Sequence, residues 1–472
     1  MTRYPIYSGG MFIETPQVLE VINPYTGLVF ASTFLAGRQE LEQAIAAAEA
    51  VREEVAGESS FRRYEVLMTI ARAIAEGREK LAQVLAMESG KPVRYALGEV
   101  DRATQVFIIA AEEAKRLPRE YLSLDWTPAG KGKEGLIRYF PRGLVAAISP
   151  FNFPLNLAVH KIAPAIASGH PVILKPARST PLSTLELAKI LHRSGMTKGA
   201  VSILPMDRET GNSLVTDPRF SILSFTGSAE VGWKMKQDAG RKKVLLELGG
   251  NAGVIVTESA DIGLAVAKCL TGGFAYSGQI CIHVQRIFIH QKVFNDFTTR
   301  FVAGVRALKP GDPLDPATEL SVMIDEENAI RVEEWIREAV DGGATLLTGG
   351  KREGRYVEPA VLTSTIPEMR VCSQEVFGPV VVVEPYHTFD EAVSRVNASS
   401  FGLQAGVFTR LREEENRAFS RLEVGAVIIN DVPAFRVDHM PYGGIKESGL
   451  GREGVRYSIL EMMEPKLLVR DF

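Results

Sequence analysis

Between residues 144 and 248 short apolar runs alternate with helix-length stretches, a pattern that few folds accept. Leu144–Ile148, Pro171–Lys175, Val201–Leu204, Ile222–Phe225 and Lys243–Leu248 read as strands, with helices near 155–168, 182–194 and 228–239. Strands separated by helices lie parallel in a doubly wound sheet, and ligand-binding groups gather at their C-terminal ends. A second alternating region, 252–430, opens with Ala252–Val256, and the Gly249-Gly250 pair before it reads as a hinge. With 472 residues the chain is long enough for two or three cores. The expected fold class is therefore α/β, with two doubly wound parallel-sheet domains and a small β element.

The remaining segments fit around that frame. Apolar residues recur at helical spacing over 39–55 and 61–117, which predicts a helical layer packed on a sheet. Residues 1–37 read as irregular chain and short strands. Tyr121–Trp126 and Leu136–Phe140 read as a hairpin, and Lys466–Arg470 as a strand with no sequence neighbour to pair with. Exposed strand edges tend to be covered, so these strands are expected to serve subunit assembly. The expected division is 1–118 with 142–248, then 249–440, with 119–141 and 455–472 as assembly strands.

Composition removes several classes of function. A net charge of -3 offers no basic field for nucleic acid or an anionic membrane. No apolar run reaches transmembrane length, and Met1–Gly10 has no signal-peptide core. Cys269, Cys281 and Cys372 are too few and too scattered for a disulfide framework or a zinc site. The seven histidines show no ligand spacing, so no metal is expected. A cytoplasmic protein is expected.

Several stretches carry chemistry. Cys281 follows the small-residue loop Ser277-Gly278-Gln279 and precedes a strand, which can lift a thiol into a pocket; simple burial is the plainer alternative. Asn152, between Phe151 and Phe153-Pro154, can hold a developing oxyanion, or can cap the next helix. Lys175 ends a strand where nucleotide hydroxyls or phosphates would lie, unless it is a plain surface lysine. Phe225-Thr226-Gly227-Ser228 leads from strand to helix, whose free amides suit a pyrophosphate, and Gly232 completes a G-x-x-x-x-G spacing. Glu247, in an apolar strand, would have a raised pKa suited to a general base, unless it pairs with a cation such as Lys175. Glu375 and Phe377 precede a buried strand and can grip a ribose and a flat ring. The literal G-x-G-x-x-G at 449–454 follows a loop and leaves only 18 residues, too few for a unit of ~30.

In order and spacing these pieces resemble the aldehyde dehydrogenase superfamily, and the stretch Ile429–His439 resembles the substrate-contacting loop of a lactaldehyde dehydrogenase-like subgroup within it. The matching pieces are Phe151–Pro154, Leu174–Ala177, Phe225–Ser228, Leu246–Gly250, Gly278–Cys281, Glu375–Pro379 and Pro441–Gly444. The resemblance implies a cofactor domain, a catalytic domain and an oligomerisation element, hence a homodimer or homotetramer. It implies NAD(P)-dependent oxidation of an aldehyde to the acid, with Cys281 as nucleophile, Asn152 as oxyanion donor and Glu247 as the base that activates water. Lys175 and Glu375 match the ribose-holding positions, Gly227 and Ser228 the pyrophosphate turn, and Phe377 the nicotinamide side. It also places Phe151, Gly211, Phe225, Gly232 and Leu248 along the cofactor. Where NAD-preferring members commonly carry Glu after Lys-Pro-Ala, this chain has Arg178, followed by Ser179 and Thr180, so NADP is accommodated. Arg102, His283 and Arg436 are candidates for a polar, cationic tunnel suited to a hydroxyaldehyde, semialdehyde or phosphorylated aldehyde; salt bridges are the alternative for both arginines. Within the family, CoA in place of water as acyl acceptor stays open. So do a catalytically silent member and a thiol hydrolase.

Overall fold

The computed structural model describes residues 2–472. The alternating pattern builds an eight-stranded sheet ordered Gly449–Leu450, Lys243–Glu247, Phe220–Thr226, Leu144–Ile148, Val172–Lys175, Val201–Ile203, Ile6–Ser8 and Met11–Ile13. Its five central strands are parallel. The flanking strands are antiparallel, so the all-parallel expectation holds only for the centre. Short antiparallel strands close the edges that a parallel sheet leaves open. Thr226 lies opposite Glu247, and Ile148 opposite both Phe225 and Lys175. This level register brings the Asn152 loop, Lys175, the Gly227 turn and Glu247 to one edge.

Helix Pro154–Ser168 is buried along its whole length between this sheet and the helices Ser60–Glu76 and Val93–Ala114. Its mostly apolar composition suits such a sandwiched position, with Asn156, His160 and Lys161 among its few buried polar residues. Val455–Met462 is also a helix, and packs Val455, Ile459 and Met462 into the same core. The strand expected over 455–472 therefore starts only at Met463. Those three apolar residues fall at i, i+4 and i+7, one helical face rather than a strand face.

A seven-stranded sheet runs Thr345–Thr348, Ala360–Thr363, Val380–Tyr386, Val284–His290, Ala252–Val256, Gln404–Phe408 and Ala426–Ile429. Only Thr345–Thr348 is antiparallel. In the third sheet Met463–Asp471 pairs along its full length with Lys133–Pro141, which pairs in turn with Arg119–Ser123. The last strand thus finds its partner inside its own chain, while Leu467, Leu468 and Val469 remain about half exposed. Among the described residues no helix is long and apolar enough to cross a membrane.

Candidate active site

The loop that carries Cys281 is held in an unusual backbone shape. After helix Ile262–Phe274, Tyr276, Ser277 and Gly278 have φ of 50, 53 and 69° in succession. Left-handed non-glycine residues are costly and persist only where their surroundings fix them. Here Tyr276 Oη donates to the Ser89 carbonyl at 3.1 Å, and Ser277 Oγ to the Ser321 carbonyl at 2.7 Å. Gln279 Oε1 accepts from the Ile324 amide at 3.0 Å. A side chain at 278 would collide with the Gly378 carbonyl. The loop ends with Cys281 Sγ 3.0 Å from Tyr442 Oη. Burial pushes the thiol up to about 11, against the pull of that hydrogen bond.

Asn152 approaches from the other sheet. It does not cap the Pro154 helix, because the amides of Leu155 and Asn156 donate to Glu99 Oε1 at 3.0 and 3.1 Å. Its side chain is therefore free to face the thiol loop, where Nδ2 donates to the Gln279 carbonyl at 3.0 Å. Oδ1 accepts from the Phe153 amide at 3.1 Å, which fixes the plane of the amide.

Glu247 closes the group. A Cβ on Gly443 would stand 3.1 Å from Glu247 Oε1, so the residue after Tyr442 packs directly on the carboxyl. Glu247 Oε2 is buried without a partner, and Lys175 is not among the charged groups acting on it. Burial raises its pKa well above the usual range, reinforced by the charge of Glu453 and opposed by Arg436, Lys161 and Arg452. Glu453 takes the positive partners instead. It pairs with Arg436 at 2.7 Å, with Lys161 3.8 Å away, and although burial opposes ionisation, His160, Arg436 and Lys161 hold it low.

Gly249 and Gly250 are not a hinge but a close approach. A side chain at 249 would strike the Glu375 carboxylate, and one at 250 the Cys281 carbonyl. Glu375 Oε1 accepts from the Gly250 amide at 2.9 Å, and burial raises its pKa to about 7. Phe377 has φ of 49° and meets Phe151 edge-on at 5.9 Å.

The opposite end of the first sheet's edge has the features a dinucleotide needs. A Cβ on Gly211 would lie 2.7 Å from Lys175 Cε, so the missing side chain gives the lysine its place. Burial lowers the Lys175 pKa, and the Arg178 charge beside it adds to this. Arg178 is exposed and has no ion-pair partner among the described residues. Side chains at Gly227 and Gly232 would collide with Phe225 and Leu248, so both glycines bring helix Ala229–Asp238 close to its strand. Ser228 precedes that helix without a side-chain cap, which leaves the first amides and the positive dipole end open to an anion. These residues fit a pyridine dinucleotide.

Of the three residues assigned to a polar tunnel, two are brought near. Arg102 pairs with Asp438 through Nε at 3.2 Å and Nη2 at 2.6 Å. It also lines a cavity of about 210 Å³ with Phe153 and Ile280, the neighbours of Asn152 and Cys281. Arg436 lies over the Tyr442 ring, 3.7 Å from its centroid. His283 is not part of this group: its ring lies against the Gly273 backbone, where burial lowers its pKa to about 4. Ile282 takes the place beside the thiol, packed with Leu403 and Tyr442. Sequence reasoning missed Tyr442, Lys161, His160, Asp438 and Glu453 as neighbours of the site. The only signal was the Pro441-Tyr442-Gly443-Gly444 run, and it did not say what the ring touches.

Residues 12–468 match the model of the aldehyde dehydrogenase family. The chain is 41% identical to 3-sulfolactaldehyde dehydrogenase of Priestia aryabhattai over 468 residues, 99% of this chain and 98% of that protein. Aldehyde dehydrogenase 21 from Physcomitrella patens, in complex with the reaction product succinate, is 43% identical with a TM-score of 0.98, covering 100% of this chain and 98% of that one. Glyceraldehyde-3-phosphate dehydrogenase from Methanocaldococcus jannaschii, complexed with NADP, is 36% identical with a TM-score of 0.92, covering 96% and 99%. The chain belongs to the aldehyde dehydrogenase family and is an NAD(P)-dependent enzyme that oxidises aldehydes.

Proposed function

We propose that this enzyme oxidises a small aldehyde with an anionic tail, using Cys281 as nucleophile, Asn152 as oxyanion donor and Glu247 as general base. The observation that carries the substrate reading is the 210 Å³ cavity where Lys91, Arg94 and Arg102 meet Phe153 and Ile280. Lys91 is paired with Glu99, Arg102 with Asp438 at 2.6 Å and Arg94 with Glu319 at 3.6 Å, so an anionic tail would use the guanidinium donors that these pairs leave free. Arg436 is buried against Glu453 and the Tyr442 ring and does not line this cavity, so Arg102 is the residue on which the tail reading is tested. The relatives named above for sulfolactaldehyde and glyceraldehyde-3-phosphate, and the succinate held by the moss enzyme, support an anionic substrate.

The chemistry follows from the side chains. The Cys281 thiolate adds to the aldehyde carbon, and the free N–H of the Asn152 amide, with the Cys281 backbone N–H, stabilises the oxygen that becomes anionic. When bound, NAD(P) would supply the acceptor for the hydride that leaves the former aldehyde carbon, and Cys281 would be left carrying the acyl group as a thioester. Glu247 then takes a proton from water, the water oxygen attacks the thioester carbonyl, and the C–S bond breaks to release the acid. Lys175, Glu375 and the Gly227-Ser228 turn would hold the cofactor. Asn152→Ala is expected to slow acylation roughly 10²- to 10³-fold, measured as the rate of the first turnover.

The test is a panel of carboxylated, phosphorylated and neutral aldehydes assayed in parallel with both cofactors. Arg102→Ala is expected to raise KM for succinic semialdehyde by about 10- to 100-fold, the worth of a charged hydrogen bond, and to leave propanal nearly unchanged. Equal changes for both contradict the anionic-tail reading. Arg178→Ala is expected to weaken NADP by a similar factor and NAD hardly at all, because only NADP carries a phosphate there. The half-exposed Leu467–Val469 strand supports assembly through the third sheet, and the free cysteines fit a reducing cytoplasm.

A further inference from the structure

We propose that Tyr442 is a catalytic residue whose phenol donates a hydrogen bond to the Cys281 thiolate, with Arg436 behind the ring to strengthen that donor. The proposal rests on the reading of Cys281 as nucleophile and adds a group to which that reading assigns no role. Tyr442 Oη is 3.0 Å from Sγ, within the reach of a sulfur hydrogen bond. Tyr442 is 3% exposed, so the phenol is shielded from water, while Cys281 is half-buried. Its backbone is clamped by the pair of hydrogen bonds Tyr442 N to Glu453 O at 2.9 Å and Glu453 N to Tyr442 O at 2.6 Å. That bridge fixes the backbone from which the ring projects, and Arg436 over its face, with Ile282 and Leu403, packs the ring itself.

Arg436 gives the ring its character. Its guanidinium sits 3.7 Å from the ring centroid and is fixed there by Glu453 at 2.7 Å, with His160 Nε2 3.4 Å away. A cation on the ring face draws electron density from the phenol, which makes its O–H the better donor. Burial holds the phenol itself far above its usual pKa, so it stays protonated and able to donate over the working range. The charged groups acting on the thiol are Glu375 and Glu247, which oppose its ionisation, and Arg436, which favours it. With two carboxyls and burial set against the thiolate, the phenol and the guanidinium are the groups that favour it. A hydrogen bond to the charged form lowers a pKa, and a phenol aimed at sulfur is such a bond.

Tyr442→Phe removes the O–H and keeps the ring, its stacking on Arg436 and its packing beside Ile282 and Leu403. The experiment is the pH profile of iodoacetamide alkylation of the full chain, followed by the mass of the Cys281 peptide, with residual aldehyde oxidation measured on each sample. In alkylation an S–C bond forms, the C–I bond breaks, iodide leaves and the thiol proton passes to buffer. The midpoint for Cys281 is expected to rise by about one pH unit in Tyr442→Phe, with alkylation at pH 8 slowed roughly tenfold. KM for NAD(P) is expected to stay at the parental value. A Tyr442→Phe profile that coincides with the parent's overturns the role of the tyrosine, while loss of oxidation in step with Cys281 modification would keep the nucleophile. A parent fully alkylated at Cys281 that still oxidises aldehydes overturns both.

Discussion

Cys281→Ala is expected to abolish aldehyde oxidation, with a loss on the order of 10⁴-fold or more. No other thiol can take its place. Cys269 is fully buried in the second core, and Cys372 lies behind the Glu375 loop with its Sγ directed to Thr365 Oγ1 at 3.2 Å. Without a sulfur the oxidation would need water to add to an unactivated aldehyde in a site built around a fixed thiol. The same geometry predicts a pH dependence. With the resting thiol pushed up to about 11, only about one molecule in a thousand carries the thiolate at pH 8 before ligands bind. First-turnover rates of the parent are therefore expected to climb with pH through the neutral range. Dissociation constants for NAD(P), measured by fluorescence quenching, should match in parent and Cys281→Ala, because the cofactor's expected partners lie on the first sheet and the Glu375 loop.

Glu247→Gln is expected to separate the two halves of the reaction. The amide cannot accept a proton from water, so one equivalent of NAD(P)H should form rapidly and steady turnover should then fall by roughly 10²- to 10³-fold. The fold is not expected to suffer. Glu247 is buried with one oxygen unpartnered, and its pKa in the folded chain is raised above the unfolded value by burial and by Glu453. A carboxyl with a raised folded pKa favours the folded state at low pH. That advantage fades as pH rises above the unfolded value and toward the folded one, because the unfolded chain ionises first. Glutamine has no charge to desolvate, so its Tm at pH 8 should equal or exceed the parent's. A Tm several degrees lower would mean that the carboxylate is a structural partner of Lys161 or Arg436 rather than a base held in reserve.

The placements that were legible in the sequence are those tied to local pattern. Strand followed by helix placed Lys175, Thr226-Gly227 and Glu247 at strand ends, and the parallel register then levels those ends. The groups that surround the thiol and line the nearby cavity were not legible, for a physical reason. Arg102 and Asp438 are 336 residues apart, and Cys281 and Tyr442 161 apart, and no periodicity encodes a contact across such a distance. The Gly249-Gly250 pair was misread because glycine's freedom and its small size leave the same letter in the sequence. Here the size is what counts, since Glu375 and the Cys281 carbonyl occupy the space of the side chains. His283 illustrates the converse: adjacency in sequence to the thiol put it on the opposite side of the chain, against Gly273.

The most direct test combines the two variants' logic in one sample. Glu247→Gln is mixed with NAD(P) and succinic semialdehyde, quenched in acid after the burst, digested and weighed. The account predicts one acyl group on the peptide that contains Cys281, in amounts equal to the NAD(P)H formed. NAD(P)H formed without any acyl group on that cysteine, or with the acyl group on another residue, would contradict it.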